Sequence, residues 1–338
     1  MENLNRIALR LSAICLLFLS AGNVLAQDTH IRGFVDLGAN LQDDKVGFGF
    51  GEYDLFITSE LNDHVTFLGE TVFRYDKTME HEFEVSIERV IVNYNYYGNH
   101  SVLIGKQHTQ INYWNESYHH GRVFFPTVGR PLLFEYDFIP LHTMGVALQG
   151  LNLGKLKLGY TLLVGNGIGS KEVSDNDKYK SLTASVHIKP AENLQLGVSF
   201  YNDIISEGAD EHGFIFPEKT NQQIYTGSIA YFGKKYELLT ETSYLNNHTA
   251  SAGNNGSLAS YLYTGIRVKD KWVPYIRLDY LDFDKYAPYL GNDDTKSVAA
   301  GLRYEVNYLL VLKLEFQHDD HDVLGSMNKL TAQVAIGF

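Results

Sequence analysis

Apolar and polar residues alternate with a period of two through most of this chain, in run after run from residue 31 to the C-terminus. In the last run, NKLTAQVAIGF, five apolar residues share one face: Leu330, Ala332, Val334, Ile336 and Phe338. Polar residues such as Thr331 and Gln333 lie between them. Because successive side chains of a strand point to opposite sides, each run predicts a β-strand with one apolar and one polar face.

The runs follow a regular order of strand, short turn, strand and longer polar connection. Short turns are predicted near residues 62–63, 97–99, 151–154, 190–193, 233–234, 270–271 and 307–308. Longer connections are predicted near 77–82, 108–137, 165–178, 204–219, 246–257, 285–296 and 319–328, with a brief one near 41–45. Counting the runs gives sixteen strands, an even number that a transmembrane antiparallel β-barrel requires. A soluble sandwich or periplasmic barrel has the same alternation, but its apolar face points inward.

The first 26 residues have the pattern of an export signal. Arg6 and Arg10 precede the apolar core LSAICLLFL, and Ala26 ends a small-residue cleavage site. We therefore expect residues 1–26 to be removed and residues 27–338 to form one barrel domain. The apolar run has about half the length that a membrane-spanning anchor needs. It contains Cys15, the only cysteine, so the mature chain is expected to have no disulfide and no cysteine metal ligand.

The composition narrows the class of protein. The sequence has 23 Tyr, 19 Phe and 30 Gly but only 7 Pro, and its hydrophobic share is an ordinary 44%. An exported chain that is rich in aromatic residues and holds its apolar residues in alternation is typical of bacterial β-barrels. The formal net charge of −12 argues against a nucleic-acid partner.

Two features resemble a known family. The final amphipathic run ending in Phe338 resembles the assembly signal of bacterial outer-membrane barrels. The run SVLIGKQ at residues 101–107 leads into a long aromatic segment, and this junction is similar to the fifth strand and constriction loop of the general and phosphate-selective porin superfamily. The resemblance implies a homotrimeric, water-filled channel in the lipid of a Gram-negative outer membrane. It also implies diffusion of small hydrophilic solutes and ions, with no catalytic step and no cofactor.

Residues 108–137 form the longest segment without alternation, and they follow the fifth strand on the side of the longer connections. We expect this loop to fold into the lumen and narrow it; packing on the barrel rim is the alternative. Four charged residues are its candidates for the constriction: Glu116, Arg122, Arg130 and Glu135. Tyr113, Trp114 and Tyr118 add bulk. His119 and His120 are adjacent, so their side chains diverge in an extended segment, and we expect solvated histidines and no metal.

Charged residues on the polar faces of other runs are candidates for the pore lining. Strands two and three have Glu52, Asp54, Glu70 and Arg74. Later strands have Arg267, Arg277, Asp279, Arg303 and Lys313. An acidic wall would then face a mixed basic wall across the pore, with a mild preference for cations. Alternatively, these residues form cross-strand ion pairs that only solvate a polar interior.

Three other functions remain open. A substrate-specific channel for phosphate or an oligosaccharide would need specific lumenal groups, and for phosphate these would be a ladder of Arg and Lys without acidic neighbours. A structural or adhesive barrel would have a filled, non-conducting lumen. A membrane enzyme would need a nucleophile or acid with a partnered histidine, and no spacing in the sequence indicates one.

Overall fold

The computed structural model describes residues 28–42, 45–75, 83–119, 121–136, 138–168, 177–211, 214–284 and 293–338. The strands are β1 (Asp28–Gln42), β2 (Lys45–Asn62), β3 (Val65–Tyr75), β4 (Phe83–Tyr97), β5 (His100–His108), β6 (His142–Leu153), β7 (Leu158–Asn166), β8 (Lys180–Ala191), β9 (Leu194–Ile205), β10 (Asp210–Glu211), β11 (Phe214–Ile215), β12 (Thr220–Phe232), β13 (Tyr236–Thr249), β14 (Gly253–Ile266), β15 (Trp272–Asp282), β16 (Thr295–Asn307), β17 (Leu310–His321) and β18 (Gly325–Gly337). Two helical turns, Tyr113–Ser117 and Leu132–Glu135, lie between β5 and β6. In these ranges no helix has the length and apolar character to cross a bilayer.

Sixteen of these strands form one closed antiparallel barrel, which confirms the predicted strand number. The two short strands β10 and β11 pair with each other in the connection between β9 and β12. The barrel closes where β1 pairs with β18. Beside this seam Gly33 and Phe338 exchange two backbone hydrogen bonds of 2.9 Å. The C-terminal residue thus completes the hydrogen-bonded ring, which leaves no free sheet edge.

The apolar face of the strands is the outer one. In β15 every second residue is exposed, and the outward set includes Trp272, Ile276, Leu278 and Tyr280, whereas Arg277 points inward and is buried. Strand β18 follows the same rule, with Leu330 and Val334 outside and Gln333 inside. An apolar exterior around a polar interior suits lipid. The alternative of a soluble barrel with an apolar interior is therefore wrong.

The seven connections predicted to be short are short, although those predicted near 151–154 and 270–271 lie at residues 154–157 and 267–271. The connections at the other end depart from the prediction in places. Turns near 62–63, 97–99, 190–193, 233–234 and 307–308 lie where the alternation stops, and the brief connection near 41–45 is also confirmed. The long connections predicted near 246–257 and 319–328 are wrong, because β13 and β14 are separated by residues 250–252 and β17 and β18 by residues 322–324. Polar residues there continue the ladder: Asn246 and Asn247 pair with Gly256 and Asn255. Most of residues 77–82, 165–178 and 285–296 lie outside the described residues.

A row of glycines marks the place where the chain leaves the barrel wall. Gly105 pairs with Gly145 and Gly145 with Gly165 across β5, β6 and β7. Gly105 has a φ of +134°, and a Cβ there would lie 1.9 Å from the carbonyl oxygen of Val90. Only glycine fits such a close backbone approach. This explains the glycine of SVLIGKQ, three residues before the wall strand ends at His108.

Candidate functional site

The segment between β5 and β6 begins and ends at one point of the wall. The N–H of Thr109 donates to the carbonyl of Leu141 at 2.9 Å. The side-chain amide of Asn115 donates to both the Thr109 and the Leu141 carbonyls, at 2.8 and 2.9 Å. We call residues 109–141 the constriction loop. Its base is closed by one buried asparagine, and the rest of the loop extends into the lumen.

Two carboxylates of the barrel wall bind the starts of the loop's helical turns. Glu241 of β13 accepts the N–H groups of Tyr113 and Trp114 at 2.6 and 3.0 Å. Asp279 of β15 accepts the N–H of Leu132 at 3.0 Å. The first N–H groups of a helix have no partner within the helix, and its positive end favours a negative charge. These two contacts therefore fix both helical turns against the same side of the barrel.

Three cations of the same wall bind carbonyl oxygens of the loop. Arg277 donates to Gly129 at 2.9 Å, and Arg303 donates to Pro126 at 3.0 Å. The ammonium group of Lys313 donates to the carbonyls of Arg122 and Thr127, at 2.6 and 2.8 Å. Arg277 and Lys313 are only 1% and 3% exposed. These side chains lie beneath the loop.

The loop also has an apolar underside. Trp114 is fully buried, with its ring centroid 5.2 Å from that of Phe125 and 6.0 Å from that of Tyr261 on β14. Phe134 and Phe138 belong to the same cluster. Burial of aromatic side chains removes a large apolar area from water. The inward course of the loop, predicted from its position after the fifth strand, is confirmed, and rim packing is excluded.

The loop packs on the wall formed by β12–β17. Space remains against β8 and β9, where a cavity of about 590 Å³ lies beside the short turns, and against β2–β5. The space against β2–β5 is a cavity of about 440 Å³. It is lined by Glu52, Arg74, Glu84, Ser86, Glu88, Lys106, His119, Arg122, Arg130, Phe134, Glu135, Leu141 and His142. We call it the outer cavity, since it lies toward the end of the barrel with the longer connections. Another cavity of about 270 Å³, the inner cavity, lies toward the short turns and is lined by residues that include Arg89, His108 and Glu116.

Glu52 is the centre of charge in the outer cavity. Its carboxylate accepts a hydrogen bond from Arg74 at 3.1 Å, and it lies 3.7 Å from the guanidinium of Arg122 and 3.8 Å from that of Arg130. Asp36 is 3.4 Å from Arg122. Burial lowers the pKa of Arg122, but the nearby carboxylates, with Glu52 and Asp36 the strongest, together raise this pKa above its ordinary value. The arginines of the loop thus face the acids of the strand wall.

The inner cavity contains a titratable acid of the loop. Glu116 lines it and is partly buried. Desolvation, together with the nearby carboxylate of Glu241, raises the pKa of Glu116 to about 7. Glu70, on the wall of the same region, is fully buried and pairs with Arg89. The charge of this cavity therefore depends on the protonation of Glu116 near neutral pH.

The structure divides the residues selected from the sequence into separate groups. Five of them line the outer cavity: Glu52, Arg74, Arg122, Arg130 and Glu135. Four others bind the backbone of the loop. Arg277, Arg303 and Lys313 donate to its carbonyl oxygens, and Asp279 accepts one of its N–H groups. Asp54 is buried in β2, and Arg267 lies at the end with short turns, where it binds Glu237 and Glu305 at 2.8 and 2.6 Å.

One expectation about the loop is wrong. His119 is not solvated: it is 3% exposed, and its ring stacks on His108 with 3.9 Å between centroids. The base of the loop presses it against the wall, which spacing along the sequence does not reveal. His120 lies outside the described residues.

Sequence reasoning missed several residues of the site. Lys106 and His142 line the outer cavity, and Glu241 anchors the loop. Glu241 had a signal, since it shares an inward face with Glu237 four residues earlier. Its partner is a backbone N–H of the loop, and such contacts leave no mark in a sequence.

The structure is similar to solved outer-membrane proteins. The anion-selective porin from Comamonas acidovorans gives a TM-score of 0.68 at 11% identity, over 92% of this chain and 100% of that chain. The in-vitro folded trimer form of OmpT, an outer membrane protein of Vibrio cholerae, gives 0.64 at 13% identity, over 93% and 100%. OmpF of Salmonella typhi, in complex with daunomycin, gives 0.65 at 10% identity, over 92% and 97%.

These identities are too low to carry function, so the likeness establishes the fold alone. No protein-family model matches the sequence, and the search of curated proteins gives no match. The chain has an outer-membrane porin-like fold: a closed antiparallel barrel of sixteen strands with a long loop folded into its lumen.

Proposed function

We propose that this protein is an outer-membrane porin, through which small hydrophilic solutes and ions diffuse without a catalytic step. The proposal depends on one observation above all. The constriction loop covers only one side of the lumen and leaves a charged cavity against β2–β5. Fixed charges around a water-filled space select ions by their sign. A structural barrel with a filled lumen would have no use for such a cavity.

The pairing of charges favours a general channel over a phosphate channel. The outer cavity is lined by four acids, Glu52, Glu84, Glu88 and Glu135, and by four bases, Arg74, Lys106, Arg122 and Arg130. The three arginines all lie within 4 Å of Glu52. A binding ladder for phosphate would need cations without such acids. Because Asp36 adds a further negative charge beside Arg122, we expect a weak preference for cations.

The location and assembly form part of the same proposal. The apolar exterior of the barrel and the apolar segment in residues 1–26 support export to the outer membrane, with cleavage of that segment. We propose a homotrimer, in line with the trimer form described for OmpT of Vibrio cholerae.

Planar-bilayer recording tests the proposed function. The purified protein is expected to give discrete current steps whose size rises with salt concentration. In a salt gradient, it is expected to give a small reversal potential of the sign that indicates cation preference. A barrel that inserts into the bilayer, as shown by protease protection in vesicles, but gives no current steps would contradict the proposal.

A further inference from the structure

Three histidines from separate parts of the chain meet between the outer and inner cavities. His108 ends β5, and its directly paired neighbour His142 begins β6. His119 lies over them from the constriction loop, with ring centroids 3.9 Å from His108 and 4.5 Å from His142. One ring nitrogen of each histidine lies within 4.8 Å of the other two. His108 and His119 are buried, and the side chain of His142 is 6% exposed.

The hydrogen bonds around His119 determine which nitrogen is available as a ligand. Both N–H groups of the Asn115 amide are used by the Thr109 and Leu141 carbonyls. Its oxygen therefore accepts from Nδ1 of His119, at 2.6 Å. A histidine with its proton on Nδ1 has its lone pair on Nε2. Such a hydrogen bond to the second nitrogen is the usual way in which proteins orient a metal-binding histidine.

Carboxylates surround the cluster. Glu88 lies 2.9 Å from Nε2 of His142, and Glu70 lies 4.0 Å from Nε2 of His108. Glu88 also pairs with Arg74 at 3.2 Å, and Glu70 with Arg89. The two acids supply negative charge, and either one is near enough to complete a four-ligand shell.

We propose that His108, His119 and His142 form a binding site for a divalent transition-metal ion of the zinc class, between the outer and inner cavities. Neutral imidazoles suit zinc, copper and nickel, whereas calcium and magnesium prefer oxygen ligands. Zinc–nitrogen bonds of about 2.0–2.1 Å place the ligand nitrogens about 3.3 Å apart in a tetrahedral site. Since one ring nitrogen of each histidine lies within 4.8 Å of the other two, these nitrogens need to approach each other by at most about 1.5 Å.

The site lies between the two cavities. His119 and His142 line the outer cavity, and His108 lines the inner one. A bound ion would join the loop to the wall between the two cavities. On the basis of the proposed channel function, it would obstruct the current.

Calorimetric titration of the folded protein with zinc chloride in detergent tests the site without any need for current. We expect binding of one zinc ion per chain, and an affinity weaker by about tenfold or more in His119→Asn and His142→Asn. His318→Asn is the matched control, because His318 is a partly exposed residue of β17 whose Nδ1 lies 2.8 Å from Asn328 on β18. If His142→Asn fails to fold, His119→Asn still tests the metal site, because His119 lies on the loop and not in the wall.

The same variants in the bilayer test the effect on the passage. Micromolar zinc is expected to lower the current of the wild type and of His318→Asn, and to leave that of His119→Asn unchanged. The proposed metal site would be wrong if zinc did not bind the wild type, or if the wild type and His119→Asn bound zinc equally. If zinc bound stoichiometrically but left the current unchanged, the proposed obstruction of the current would be wrong. A barrel that conducts no ions would contradict the porin function, while the calorimetric result would still stand.

Discussion

Replacement of residues 110–140 by an Asn-Gly turn is expected to raise the single-channel conductance several-fold. Thr109 and Leu141 already share a backbone hydrogen bond of 2.9 Å, so two turn residues join them as an extension of the β5–β6 hairpin. The removed segment contains the loop's share of the apolar cluster around Trp114 and the two helical turns that fill one side of the lumen. Without it, the full width of a sixteen-strand barrel is available to water.

The matched control is the same Asn-Gly exchange at residues 250–252. This turn joins paired residues Thr249 and Gly253 at the same end of the barrel, and its residues are exposed. It should leave the conductance unchanged. If the loop deletion folded but conducted no more than the wild type, the passage would not run beside the loop.

Opposite shifts in ion selectivity are expected when the charge pairs of the outer cavity are broken from either side. Glu52→Gln leaves three arginines with one carboxylate fewer and should favour anions. The double variant Arg122→Gln and Arg130→Gln leaves the acids of the wall and should favour cations. One charge at about 8 Å and an effective dielectric constant of about 20 is worth about 2 kcal/mol before screening, so we expect the permeability ratio to change by about three- to tenfold.

Reversal potentials in a salt gradient measure these shifts. Asp282→Asn is the control, because Asp282 lies on the outward face of β15 and its charge is far from the lumen. If Glu52→Gln and the double arginine variant moved the reversal potential in the same direction, the charges of the outer cavity would not control permeation.

The strands were predictable because alternation is a local property. Which side chains of β15 and β18 point into the lumen follows from a two-residue period and needs no knowledge of neighbouring strands. The predicted long connection near 246–257 was wrong for a related reason. Polar residues such as Asn247 and Asn255 look like loop residues, yet these two pair with each other in a ladder that continues beyond the apolar belt.

The site was less predictable, because it depends on which wall the loop covers. Arg277 and Asp279 lie two apart on an inward face, so alternation places them correctly toward the lumen. Alternation does not reveal that Leu132 and Gly129 lie on top of them. The histidine cluster shows the same limit. His119 and His120 are adjacent in the sequence, but the partners of His119 are His108 and His142. Only the closed base of the loop brings these three residues together.

Modification of single cysteines tests most directly whether ions pass between the constriction loop and β2–β5. The only native cysteine is Cys15, within the expected export signal. Ser86 lines the outer cavity, whereas Ser243 is fully buried beneath Asn112 of the loop. In planar bilayers, a charged methanethiosulfonate reagent is expected to reduce the current of Ser86→Cys by more than half and to leave Ser243→Cys unchanged. Loss of current in Ser243→Cys with no effect on Ser86→Cys would place the passage on the opposite side of the loop and contradict the proposed route.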